Sequence, residues 1–335
     1  MKTFKRVTLQ DVAREAHVSY ASVSAVLNGK DGKSIRVGKQ TKEKILECAE
    51  RLGYVPNMAA RKLKSGSTTL IAVFTYEPMF PVESENEYYR FFVGIQETAE
   101  KLGYDILILN NRPTEENSSR IALADGAVMM GVNRDDKGVE RLVKAHFPLV
   151  FVGRREVAEA HTHWVTFAYQ EVIEKMVDHL ASVCRKQCLV YVETKEQERE
   201  PRKDKRSFLL AAAQKRGITI HVVETDEHYR LSHDDFNLVK ECQVAVFDRI
   251  FLLDPFERDL QRMGMKLGQD VWGAVLEDDW LGGHEHWTRW SNQRLELGSL
   301  AVEYLSQLLE KRSLESARKF TPLHLVISES SAFPE

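Results

Sequence analysis

A chain of 335 residues, 43% hydrophobic and 29% charged, has ordinary globular composition and exceeds one small core, so two or three domains are expected. No apolar run approaches the ~18 residues of a membrane span, and the basic start MKTFKRVTLQDV lacks the apolar stretch of a secretory signal. The net charge of −3 is unevenly spread: residues 1–66 hold 14 Lys and Arg against 6 Asp and Glu, the remainder 33 against 44.

A basic head on an acidic body points to a polyanionic partner for the head. Charge alone also fits a plain solvated basic surface, so the pattern beneath it decides. Thr8 can cap a helix whose third residue, Asp11, completes a capping box. Leu9, Val12, Ala13 and Ala16 then share one apolar face. The pattern breaks at His17-Val18-Ser19. Ser19 suits the N-cap of a second short helix, Tyr20 to Leu27, with Val23, Val26 and Leu27 inward and Asn28-Gly29 as its stop. A third helix is expected from about Lys39 to Leu52, with Ile45, Cys48, Ala49 and Leu52 inward and Gly53 ending it.

Two short helices joined by a tight turn and braced by a third make a helix-turn-helix. The outward residues of the second helix, Tyr20, Ala21, Ser22 and Ala25, are expected to face a major groove. Tyr20 and Ser22 can hydrogen-bond base edges or phosphates, whereas Ala21 and Ala25 can only touch thymine methyls or permit close approach. Downstream, Tyr54-Val55-Pro56-Asn57 reads as extended, because the residue before proline avoids the α region. Residues 58–65 suit a helix of about two turns, too short to hold alone and expected to order against DNA and a partner chain. There Leu63 lies among Arg61, Lys62 and Lys64, an apolar wedge for a minor-groove step flanked by cations.

The segments VTLQDVAREAHVSYASVSAVLNG and TKEKILECAERLGYVPNMAARKLKSGST resemble the DNA-binding head of the LacI/GalR bacterial repressors, almost continuously over residues 7–68. The resemblance implies base-reading roles for Tyr20, Ala21 and Ala25. It implies supporting contacts from Thr8, Ser19, Ser22, Ser24, Asn28 and Asn57, and a hinge helix in which Ala60, Arg61, Leu63 and Lys64 meet the operator centre. Three positions depart from the family pattern. His17 replaces the usual glycine, although histidine tolerates a left-handed turn. Ala25 replaces a residue that is often long and polar. The loop 30–38 is longer than typical, with Lys30, Lys33 and Arg36 as candidate phosphate contacts.

Beyond residue 68, strand-like and helix-like segments alternate. Thr69–Phe74 reads as a buried strand, Glu87–Leu102 as an amphipathic helix and Tyr104–Leu109 as a strand. The alternation runs on through Val271–Val275 to a returning helix, Arg294–Lys311. Such alternation implies parallel sheets with helices on both faces. The expected architecture is an all-α helix-turn-helix head (1–55), a hinge or linker (56–67) and a two-lobed, periplasmic-binding-protein-like α/β body (68–335). Ligands in such bodies sit at the carboxyl ends of the strands. The family's pocket pattern is altered here. Ala168 follows Trp164–Phe167 where a polar residue is usual, Lys205 or Arg206 stands near the usual arginine, VAVFDRIFLLD leaves Asp248, and GAVLEDDW leaves Glu277, Asp278 and Asp279. Tyr76, Arg154, Tyr169, Lys205, Asp248 and Asp278 are the candidate effector contacts.

Other motifs lack the spacing their chemistry needs. GKDGKS at 29–34 fails the phosphate-loop spacing. His161-Thr-His163 and His284-Glu-His286 match no zinc pattern. Cys184 and Cys188, four apart, read as two buried thiols. The four cysteines (Cys48, Cys184, Cys188 and Cys242) show no disulfide-scaffold pattern, and a reducing, cytoplasmic setting is expected. No nucleophile elbow is present, and no enzyme activity, cofactor or metal is called for. The expected function is sequence-specific transcriptional regulation, repression by family resemblance. It would act as a homodimer without a tetramerising heptad tail, on a near-palindromic double-stranded operator. A small-molecule effector, a sugar among the candidates, would modulate binding; the alternative is a body that has lost sensing.

Overall fold

The computed structural model describes residues 7–27, 36–55, 68–76, 88–109, 117–132, 136–158, 160–183, 186–195, 200–291, 293–310 and 318–332. The chain divides into two compact units, Met1–Thr68 and Thr69–Glu335.

The head holds α1 (Leu9–Ala16), α2 (Tyr20–Leu27) and α3 (Lys39–Leu52). The start of α1 is fixed by its own sequence. Thr8 Oγ1 accepts from the Asp11 amide at 3.3 Å, and the Thr8 amide donates to Asp11 Oδ2 at 3.0 Å. Its end is set by His17 at φ 54°, whose N–H reaches the carbonyls of Ala13 and Arg14. Histidine thus adopts the left-handed conformation at a cost that glycine would avoid. Ser19 begins α2 by accepting from the Ser22 amide at 3.1 Å. Val12, Ala16, Val23 and Ile45 are fully buried at the centre, with Ala13, Val26, Cys48 and Ala49 around them. Burial of Val12, Val23 and Ile45 contributes about 1.5–3 kcal/mol each, more than any single cap. Arg51 reaches Glu15 at 2.7 Å and ties α3 to α1 at the surface.

The body is built on two parallel sheets. The first contains β1 (Leu70–Thr75), β2 (Asp105–Leu109), β3 (Gly126–Met130), β4 (Leu149–Val152), β5 (His163–Phe167) and β11 (Arg318–Thr321), in the order β11-β5-β4-β3-β1-β2. Alternate residues serve opposite faces. Ile71, Val73, Val128 and Val150 pack under α4 (Tyr89–Leu102) and α11 (Arg294–Leu309). Ala72, Phe74, Ala127, Met129 and Phe151 pack under α5 (Asn117–Ile121) and α6 (Lys137–Lys144). The α4–α11 crossing depends on two glycines: a Cβ at Gly94 would collide with the Leu295 carbonyl, and one at Gly298 with the Phe91 carbonyl.

The second sheet contains β6 (Cys188–Glu193), β7 (Thr219–Glu224), β8 (Val244–Phe247) and β9 (Trp272–Val275), in the order β7-β6-β8-β9. One face carries α7 (Tyr169–Val183) and α8 (Glu200–Lys215), through Ile173, Met176, Val177, Leu209 and Ala212. The other carries α9 (His233–Cys242) and α10 (Leu253–Arg262), through Phe236, Val239, Phe256 and Leu260. Helix α9 was not expected from the sequence; Ser232 caps it by accepting from the Asp235 amide at 3.1 Å. A short antiparallel pair, β10 (Arg289–Trp290) with β12 (Leu325–Val326), completes this lobe. The chain therefore crosses between lobes three times: after β5, before α11, and between β11 and β12.

The cysteine reading is corrected. Cys188 is not an isolated thiol paired in sequence with Cys184. It forms a disulfide with Cys242, Cα–Cα 5.2 Å, across a sequence separation of 54. The end of α9 lies over the start of β6, a proximity that only the tertiary fold creates. Cys184 lies outside the described residues.

Candidate nucleic-acid interface and effector cleft

In the head, Tyr20 is 52% exposed at the first position of α2. Ala21 is exposed and Ser22 half-buried beside it. The polar neighbours are already organised: Ser19 Oγ lies 2.9 Å from Ser22 Oγ and caps the helix, and Thr8 Oγ1 donates to Asp11 Oδ2 at 2.7 Å. Their hydroxyls hold the helix ends and retain lone pairs for further contacts. Arg36 is exposed. Two sequence assignments change. Ala25 and Ser24, 6% and 4% exposed, are not outward-facing. The four consecutive residues Val23 to Val26 are all buried, so this turn of α2 is covered on every side, while Ala21 one turn earlier stays exposed. Asn28, Lys30, Lys33, Asn57, Ala60, Arg61, Leu63 and Lys64 lie outside the described residues.

In the body, five of the six candidate residues follow strand ends on the carboxyl side of the two sheets, Lys205 lies within α8, and all six already have protein neighbours. Asp248, fully buried after β8, lies 2.7 Å from Arg202 Nε and 3.6 Å from Lys205 Nζ. Lys205 Nζ also donates to the carbonyls of Leu276 at 2.9 Å and Asp248 at 3.3 Å. Two of its three protons are thereby taken, and Asp248 Oδ1 meets it as an ion pair. Asp278, 3% exposed, accepts from Arg294 Nε at 2.8 Å and Nη2 at 2.6 Å. Arg154, after β4 in the first lobe, donates through Nε and Nη2 to Asp204 on α8 of the second at 2.9 and 2.6 Å. This forked pair spans the two lobes. Tyr76 donates its hydroxyl to Asp136. Tyr169 stands between aromatic neighbours, 5.8 Å from Phe167 and 5.6 Å from Trp290 between ring centroids.

Two further carboxylates complete the network. Burial pushes Glu277 up, yet Arg249, Lys205, Arg294 and the Ile250 amide together hold it below the ordinary glutamate value. Glu193, at the end of β6, is raised because burial outweighs Arg206 and Arg202; Arg206 Nε lies 3.3 Å away. The sequence reading missed Arg202, Asp204 and Arg294. The basic run RKDKR at 202–206 was the available signal for the first two. Arg294 opens an ordinary-looking helix, and only the fold brings it to Asp278. Tyr76, Arg154 and Tyr169 were placed at the cleft by residue type, and each meets a different neighbour from the others.

The sequence model described as "Bacterial regulatory proteins, lacI family" matches residues 8–57, the segment that holds α1 to α3. Over that segment the head of this chain is similar to the lacI-family regulators. Among curated relatives, Catabolite control protein A of Priestia megaterium is 35% identical over 156 residues, 45% of this chain and 44% of that protein. Its counterpart in Staphylococcus aureus (strain Mu50 / ATCC 700699) is 32% identical over 180 residues, 52% of each. The chain's matched part thus spans about half the length of these curated relatives.

Solved structures extend the likeness of this chain in fold. The Lac repressor dimer bound to operator and the anti-inducer ONPF superposes with a TM-score of 0.73 at 19% identity, covering 98% of this chain and 99% of that one. A transcriptional regulator CelR–cellobiose complex gives 0.66 at 19%, covering 97% and 100%. The fold is a helix-turn-helix head with a two-lobed α/β body. Among the described residues, no helix is long and apolar enough to cross a membrane.

Proposed function

We propose that this chain is a sequence-specific DNA-binding transcriptional regulator, a repressor, acting as a homodimer on a near-palindromic operator. The observation that carries the reading is the lacI-family head, with a doubly capped α1–turn–α2 that projects Tyr20 from the first turn of α2. Each α2 would enter a major groove, with half-sites about one helical turn, ~34 Å, apart. Asn28, Lys30, Lys33 and Arg36 would contact phosphates, and Leu63 with Arg61 and Lys64 would engage the minor groove between half-sites. Dimerisation through the body is supported by two edge strands. β2 and β7 each border their sheet and share a partly exposed pattern, with Ile108 39% and Val222 37% exposed; edges of this kind call for cover.

The effector of this regulator would be a small molecule of the sugar class entering between the lobes. It would change operator affinity by favouring one lobe arrangement over another. A specific observation favours the second reading, a body without sensing: Asp278 and Lys205 are already hydrogen-bonded to Arg294 and to the Leu276 carbonyl, and Asp248 is buried beside Arg202 and Lys205, so a ligand must displace buried ion pairs. Full-length protein is incubated with a random duplex library and the bound fraction sequenced. A recovered inverted repeat bears out the regulator, and no sequence preference at low ionic strength overturns it. A thermal-shift panel of neutral and phosphorylated sugars separates the two effector readings. Saturation near a hundredfold above Kd stabilises by about 2.7 kcal/mol, and a silent panel selects the body without sensing.

A further inference from the structure

At the amino end of the second sheet, three donors of one chemical type meet. Cys188 is the first residue of β6, Cys242 the last of α9, and His221 the third of β7. The parallel register sets Cys188 against Thr219 and Val190 against His221. Cys188 and His221 therefore share a sheet face, the face on which Phe236, Val239 and Cys242 of α9 pack. The two sulfurs and a ring nitrogen of His221 all lie within 4.8 Å of one another. Cys242 is buried, whereas Cys188 and His221 are half-exposed and leave a route from solvent.

Two thiolates and an imidazole are the donor set of a borderline-soft cation. Zinc binds sulfur at about 2.3 Å and imidazole nitrogen at about 2.0–2.1 Å. Tetrahedral coordination at those lengths separates neighbouring donors by roughly 3.5–3.8 Å, within the span seen here. Three protein ligands leave the fourth position to water or an outside donor. The effector cleft lies at the other end of the same strand: five residues separate Cys188 from Glu193, roughly 16 Å at the rise of a parallel strand. We propose that Cys188, Cys242 and His221 form a binding site for one soft cation of the Zn2+ class, available when the two cysteines are reduced.

The disulfide and the metal site use the same sulfurs and exclude each other. A dithiol or phosphine reductant supplies two electrons, the S–S bond breaks and two protons complete the thiols. Metal binding then releases those two protons as the thiolates coordinate. Oxidation of the metal form by a disulfide reagent reverses the sequence and expels the ion. The site is thus open to a metal under reducing conditions and closed by a covalent bond under oxidising ones.

The test uses the full-length protein, reduced with a phosphine and titrated with Co2+ under argon. The expected result is a thiolate-to-cobalt charge-transfer band and tetrahedral visible bands that saturate at one ion per chain and bleach with one equivalent of Zn2+. Cys242→Ser should abolish the bands, His221→Ala should weaken affinity about 10–100-fold, and Cys184→Ser should leave both unchanged. Cys188→Ser, at a half-exposed position, serves if Cys242→Ser does not fold. A reduced protein without thiolate-to-cobalt bands overturns the site, as do bands that survive both cysteine substitutions. Persistence of the Cys188–Cys242 bond through reduction, shown by thiol counting, also overturns it and leaves a structural disulfide only.

Discussion

In the head, the polar side chains around α2 are tied to the backbone beside them: Thr8 with Asp11, and Ser19 with Ser22, each three residues apart. In the cleft, partners come from far along the chain. Arg154 meets Asp204 across 50 residues, and Lys205 meets the Leu276 carbonyl across 71. Local partnerships leave Tyr20 free of the packing and let neighbouring residues be exchanged without disturbing the fold. Long-range buried partnerships make each charge depend on a second one, so functional and structural roles cannot be separated by single substitutions.

This contrast can be broken most readily in the cleft. Arg294→Met would leave Asp278 buried without its guanidinium and is expected to cost about 3–5 kcal/mol in urea unfolding. Adding Asp278→Leu should recover most of it, whereas a double variant no better than the single one would remove the pairing argument. Tyr20→Ala should weaken operator binding by about 1–3 kcal/mol, roughly tenfold to a hundredfold, with an unchanged salt slope and unfolding curve. Equal loss on operator and random DNA would place Tyr20 on the phosphates instead.

Acid sharpens the comparison further. Glu277 is held below its ordinary value when folded, so its contribution is present above the unfolded pKa of about 4.3 and is lost as pH falls through the folded one. Glu277→Gln should therefore flatten the acid side of the stability–pH curve below about pH 4.3, and an unaltered acid limb would contradict the cation network. In the head, Thr8→Ala removes one cap and should cost about 1 kcal/mol, read from thermal melting of the full chain. The smallest effect is His17→Gly. Relief of the left-handed turn and the greater freedom of unfolded glycine nearly offset each other, and a gain of less than about 1 kcal/mol is expected.

What could be read from sequence followed the same division. The capping box, the turn at His17 and the apolar face of Val12, Ala13, Ala16, Ile45, Cys48 and Ala49 were all legible, because each depends on residues within a few positions. The strands Gly126–Met130, Leu149–Val152 and Val244–Phe247 were legible as short apolar runs bounded by turns, and their assembly into parallel sheets followed from alternation with helices. Burial of Ala25 was not legible, since helical period gives direction and not how much of a methyl its surroundings cover. The clasp of Arg294 on Asp278, the Arg154–Asp204 fork and the Cys188–Cys242 bond were invisible for another reason. They join segments whose proximity is set by register and crossing angle, quantities that no local pattern encodes.

The three crossings between lobes have a mechanical result. A single tether would let the second lobe swivel about any axis, whereas three side by side act like the plates of a door hinge and leave bending as the soft direction. A protease that severs one crossing should leave two, and the nicked chain should still sediment and melt as one body.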